Sequence, residues 1–130
     1  MTASEDRRAA IILAVHDVEE TRDGIEKLLT VDGYRVDTAR NEDDAVDKAR
    51  RQRPDLILVG LAGRPVEVLL AAARIRQRAG LGDDIPVVVF CVPTIPEGGE
   101  VAMANNLYVI RPDDFNQLRG FLARLIRASD

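Results

Sequence analysis

Few residues of this 130-residue chain could do chemistry, and they fall at the ends of its apolar runs. His16 and Asp17 close "AIILAV", Gly60 closes "DLILV", Cys91 closes "IPVVVF" and Arg111 closes "LYVI". His16 is the sole histidine, and an ordinary pKa near neutrality makes it a candidate pH switch or metal ligand. One His beside one Asp is a small ligand set, so a hydrogen-bonding role is favoured over a metal. Cys91 with His16 has the residue types of a nucleophile and its base, but a cysteine closing an apolar run reads first as a small buried hydrophobe. Asp17 and Arg111 are the oppositely charged members of the set, and a guanidinium fork matches a carboxylate bidentately. They are expected to pair across the strand ends and hold the cleft in one conformation; Arg111 with Arg64 as an anion site is the alternative. Gly60 brings no side chain to the place where the most prominent strand would present one.

The elements that must position these residues alternate regularly. "AIILAV" (10–15) is a strand, and "VEETRDGIEKLLTVDGY" is a helix with Val18, Ile25, Leu28 and Leu29 on one face. "RVDTA" is a short strand, and "NEDDAVDKARRQRP" a helix capped by Asn41 and stopped at Pro54. Residues 55–59 form a third strand, with Asp55 in a structural role at its start. "PVEVLLAAARIRQRAG" begins at Pro65 and ends before Gly80, and its "RIRQR" is expected to be a solvated helix face rather than a docking stripe. "IPVVVFCV" is a fourth buried strand, while "PTIPEGGEVAMANN" leaves room for only a short helix. "LYVI" and the amphipathic "DDFNQLRGFLARLIRASD", with Phe115, Leu118, Phe121, Leu122 and Leu125 inward, complete the chain. Near-continuous apolar strands suit a sheet covered on both faces. Five β-α units imply a doubly wound, five-stranded parallel α/β sheet in three layers, as one domain over 10–130 after a flexible tail, 1–9.

The bulk numbers set limits. Hydrophobic residues make up 46% and charged residues 31% of the chain, which excludes disorder. A net charge of -4 disfavours non-specific nucleic-acid binding. A single cysteine allows no internal disulfide and points to a reducing compartment. No signal-peptide core or membrane-spanning run is evident, so a cytoplasmic location is expected.

Over residues 10–128 the chain resembles the receiver domain of bacterial two-component response regulators. "ILAVHD" corresponds to the strand ending in an acidic pair, and "PDLILVG" to the strand ending in the phosphoacceptor aspartate. "IPVVVFC" corresponds to the strand ending in Thr or Ser, and "LYVIRP" to the one ending in Lys-Pro. The resemblance implies a flavodoxin-like fold. It also implies a site in which an Asp nucleophile, acid-held Mg²⁺, a lysine and a hydroxyl carry phosphorylation. Here Gly60 stands at the phosphoacceptor position, His16 replaces the first acid, Cys91 the hydroxyl and Arg111 the lysine; Asp17 alone is kept. Imidazole is a poor Mg²⁺ ligand.

The implied function is that of a pseudo-receiver. It would act in phosphorelay signal transduction through phosphorylation-independent protein-protein interaction, with no enzymatic activity, cofactor or metal. Signalling proteins are the expected partners, with no specific nucleic acid and no membrane, and a homodimer is left open. Tyr108, at the family's aromatic-switch position, joins Pro96, Met103 and Phe115 on the expected switch and interaction face. The alternative is a small-ligand or anion sensor using the vacated cleft around Gly60, His16 and Arg111.

Overall fold

Strand β1 (Ile11–His16) enters the centre of the sheet and leads through α1 (Glu19–Val31) to β2 (Arg35–Ala39) on its outer side. The chain then crosses through α2 (Glu42–Arg51) to β3 (Leu56–Gly60), and through α3 (Pro65–Arg78) to β4 (Val87–Phe90). A short β5 (Glu100–Ala102), a 3₁₀ turn (Ala104–Asn106), β6 (Leu107–Ile110) and α4 (Phe115–Ser129) follow. The computed structural model describes residues 9–90 and 95–129, with side chains to 127. The expected tail over 1–9 lies almost wholly outside the described residues, as does Cys91. Strand order is β2-β1-β3-β4-β6-β5, parallel throughout except that β5 runs antiparallel to β6.

The sheet therefore has six strands rather than five, and it is not wholly parallel. Among the described residues four α-helices, not five, accompany it. The difference lies in the Pro/Gly-rich segment after β4. Gly98 takes φ +82, a left-handed conformation that suits glycine and breaks a helix. Its N–H donates to the Arg111 carbonyl at 2.6 Å, and Arg111 N–H donates to the Gly99 carbonyl at 2.9 Å. Met103 N–H donates to Leu107 O at 2.7 Å, so the backbone is laid along β6 instead of coiling. Asn105 and Asn106, both at φ 62, make the reversal, a conformation that asparagine tolerates better than most residues.

Side chains alternate between the faces of the central strands, as period-two geometry requires. Leu13, Val15, Ile57, Val59, Val87 and Val89 face α2 and α3, packing with Ala45, Val46, Val68 and Ile75. Ile12, Ala14, Leu56, Leu58, Val88 and Ile110 face α1 and α4, packing with Ile25, Leu29, Leu118, Phe121 and Leu122. Of the apolar face expected on the first helix, Ile25 and Leu29 are buried but Val18 and Leu28 are about half exposed.

Polar contacts fix the elements in place. Asn41 caps α2, its Oδ1 accepting from Asp44 N–H at 2.8 Å. Asp55 has the expected structural role, its Oδ2 accepting from Ile11 N–H at 2.7 Å at the start of the two central strands. Of the "RIRQR" arginines, Arg74 and Arg78 lie on an exposed face as expected and Arg76 does not. Arg74 and Arg78 bind Glu42 at 2.7 and 3.0 Å and so clamp α3 to α2. Arg76 is buried, donating to the Ile85 carbonyl at 2.9 Å. Helical phase decides this, since residues 74 and 78 share one flank and 76 turns under the helix. Arg119 on α4 grips Asp32 at the end of α1 through both carboxylate oxygens, and this holds the Asp32 carboxyl below its usual pKa. No helix among the described residues is long and apolar enough to cross a membrane.

Candidate functional site

The carboxyl ends of β1, β3 and β4 meet in register. His16 lies opposite Gly60 across the β1–β3 pair, and Val59 opposite Val89 places Phe90 beside Gly60 on the other side. Ile12, Ala14, Leu56, Leu58 and Val88 share one sheet face, so two-residue periodicity puts His16, Gly60 and Phe90 on that face in a row. The rings of His16 and Phe90 approach over the glycine, with centroids 5.9 Å apart and planes inclined by 35°. A Cβ on Gly60 would lie 2.5 Å from two Phe90 ring atoms and 2.9 Å from His16 Cδ2. The space over Gly60 is filled, and glycine is the residue that permits it.

His16 is held from several directions. Its Nδ1 accepts from Val18 N–H at 3.0 Å, and its carbonyl accepts from Arg22 Nη1 at 2.9 Å. Accepting at Nδ1 requires that nitrogen to be unprotonated. Burial is the main influence on the ring, pushing its pKa below the ordinary 6.5 against the opposing pull of Asp17. A histidine with a lowered folded pKa binds its proton more readily when unfolded. Its contribution to stability is complete above about pH 6.5 and declines as pH falls through the folded value. Tm should therefore drop between pH 7 and 5 more steeply in the native chain than in His16→Asn. Equal slopes would show that His16 does not sense pH. The carboxylates gripped by arginine, Asp32 and Glu42, titrate in a lower window.

Asp17 and Arg111 do not form the expected pair. Asp17 Oδ2 accepts from Ala62 N–H at 3.1 Å, tying the end of β1 to the loop after β3. Arg111 Nη1 donates to the Ile95 carbonyl at 3.1 Å. Each thus secures a neighbouring loop backbone, and no carboxylate-guanidinium fork spans the strand ends. Arg64, proposed beside Arg111, lies at the start of α3 and is 3.5 Å from Glu67.

The Mg²⁺ chemistry that the receiver fold implies does not fit these side chains. Mg²⁺ asks for hard oxygen ligands, commonly one or two carboxylates. Here Asp17 is the one carboxylate at the strand ends, and one of its oxygens already accepts an N–H. No group of three His, Cys, Asp or Glu side chains among the described residues could share a metal ion.

Of the expected switch face, Tyr108 donates its hydroxyl to Asn106 Oδ1 at 2.6 Å and meets Phe121 edge-on at 5.8 Å. Phe115 packs on the α1/α4 side of the core. Met103 is 46% exposed and Pro96 is exposed. Phe90 and Arg22 are the site residues that sequence reasoning missed. Counting on two from Val88 puts Phe90 on the face of Gly60, but only the pairing register brings the two together.

This fold, with its strand ends meeting at β1, β3 and β4, is similar to the fold of response-regulator receiver domains. Response regulator MprA of Mycobacterium leprae is 31% identical over 78 residues, a match covering 60% of this chain and 33% of that protein. Transcriptional regulatory protein AfsQ1 of Streptomyces coelicolor is 34% identical over 86 residues, covering 60% of this chain and 38% of that protein. The aligned part thus spans between 33% and 38% of the length of these curated relatives. Among solved structures, chemotaxis response regulator CheY4 of Vibrio cholerae superposes with TM-score 0.65 at 26% identity, covering 91% of this chain and 99% of that one. NtrX of Brucella abortus gives TM-score 0.70 at 23% identity, covering 94% of this chain and 28% of that one. No family model matches the chain.

Proposed function

We propose that this chain is a pseudo-receiver, a signalling domain of the response-regulator type that works through protein contacts and takes no phosphoryl group. The observation that carries this reading is the filled space over Gly60, where a side chain would collide with Phe90 at 2.5 Å. Phosphoryl transfer to a receiver needs a nucleophile at that position and room for the group it receives. Gly60 supplies no nucleophile, and the His16 and Phe90 rings take the room. Asp17, turned to Ala62 N–H, is a poor substitute acceptor, because its phosphorylation would remove the sole carboxylate available to a metal.

The partner is a signalling protein. A histidine kinase, ThkA, is seen in complex with the response regulator TrrA, a structural relative that covers 89% of this chain at TM-score 0.67. The contact surface on this chain includes Pro96, Val101 and Met103, which the edge strand leaves exposed. A sensor that uses the cleft over Gly60 is the weaker reading, because the two rings leave it no volume. Incubation with acetyl phosphate and Mg²⁺, followed by intact-mass measurement, tests the proposal. The mass should be unchanged, and an added phosphoryl group would overturn it.

A further inference from the structure

We propose that the groove at the carboxyl end of β2 is a binding site for a small phosphate-bearing anion, recognised through its phosphates. The groove has a volume of about 310 Å³ and is lined by Arg22, Thr38, Ala39, Arg40, Asp44 and Lys48. Three cations against one acid give the lining a charge of +2 (3 − 1), on a chain whose net charge is -4. The groove shares Arg22 with the His16 end of the strand-end site, but it lies outside the filled space over Gly60 and does not depend on the pseudo-receiver reading.

The two arginines are placed but not neutralised, while Lys48 is paired with Asp37. Arg22 is steadied by one Nη1 contact to the His16 carbonyl, which leaves its Nε and Nη2 donors available. Lys48 Nζ donates to the Thr38 carbonyl at 2.7 Å and stands 3.8 Å from Asp37. Neither Arg22 nor Arg40 belongs to any ion pair among the described residues. Of the three acids at the start of α2, Asp44 lines the groove and the other two are engaged elsewhere. Asp44 Oδ2 accepts from Arg40 N–H at 3.1 Å, while Glu42 and Asp43 are bound by the arginines of α3. Those contacts draw negative charge away from the groove and leave the guanidiniums exposed to an incoming anion.

The ligand class follows from the donors. Guanidinium forks match phosphate oxygens bidentately, and an ammonium adds a point charge. Two forks and an ammonium suit a multiply charged phosphate better than a single carboxylate. The lining has no aromatic ring, so no base or sugar face is stacked and the phosphates carry recognition.

Inorganic pyrophosphate titrated calorimetrically into the full chain provides the test. Saturable binding is expected at low ionic strength, weakening as added salt screens it. Arg40→Ala should lower affinity roughly tenfold, the scale of one charge-assisted contact, without changing Tm, because that side chain is exposed. Lys48→Gln should weaken binding similarly. Arg119→Ala, far from the groove on α4, should bind as the native chain does. Absence of saturable heat would overturn the proposal, as would Arg40→Ala binding like the native chain or losing no more affinity than Arg119→Ala. If Lys48→Gln fails to fold, Arg40→Ala decides alone.

Discussion

Replacing Phe90 by alanine is expected to destabilise the domain by about 3–5 kcal/mol, the range for truncating a buried aromatic. The ring is 8% exposed and packs in the core between the sheet, α1 and α4. At its far edge it meets His16 and covers Gly60, and the glycine brings no side chain to fill the space. For a domain of this size Tm falls by roughly 3–5 °C per kcal/mol, and a drop of 10 °C or more should appear in thermal unfolding. That is a large part of a typical total stability of ~5–15 kcal/mol. A drop of only a few degrees would show that the ring is not held as described.

The second large effect concerns Gly60→Asp, the substitution that would place a phosphoacceptor at the strand end. It should not restore phosphorylation, and it should lower stability. The new Cβ meets Phe90 at 2.5 Å, and overpacking of this type costs about 1–3 kcal/mol. The carboxylate adds a desolvation cost beneath the Phe90 ring, with Arg111 donating to the Ile95 carbonyl. Gly60→Ala should show the steric part alone and be the milder of the two. In the Phe90→Ala background, Gly60→Asp should cost less than in the native chain, because the two positions share one space. Tm values of the two single variants and the double variant measure that coupling. Additive effects, or a phosphorylated Gly60→Asp, would refute the account of the filled cleft.

What could be seen in the sequence was whatever depends on local periodicity. The apolar runs around Ile12, Leu58 and Val88 marked buried strands, and Asn41 and Pro65 marked helix starts, because caps and alternation are written in neighbouring residues. The segment around Gly98 gave a breaker signal, but "EVA" is too short for alternation to declare a strand. It is a strand only because β6 lies alongside to receive its hydrogen bonds. Arg76 looked like its neighbours Arg74 and Arg78, yet its place on the helix turns it inward. The site was legible as a set of strand ends, since Gly60, His16 and Arg111 could each be placed by counting. Their contacts were not. Asp17 and Arg111 have complementary charges, but each finds a loop carbonyl or N–H nearer to it, and loop paths are not encoded by period. Phe90 was passed over because its partner is 30 residues distant in sequence and adjacent only across the β3–β4 pair.

The meeting of Phe90 with Gly60 also acts as a ratchet on sequence change. An acidic side chain at 60 is penalised while the ring remains, and loss of the ring is penalised while 60 is glycine. Any stepwise route from this site to a phosphoacceptor site therefore begins with a variant less stable than the native chain. Domains with little stability to spare tolerate such intermediates poorly. Drift at either position alone is opposed, so the pair should be kept or exchanged together.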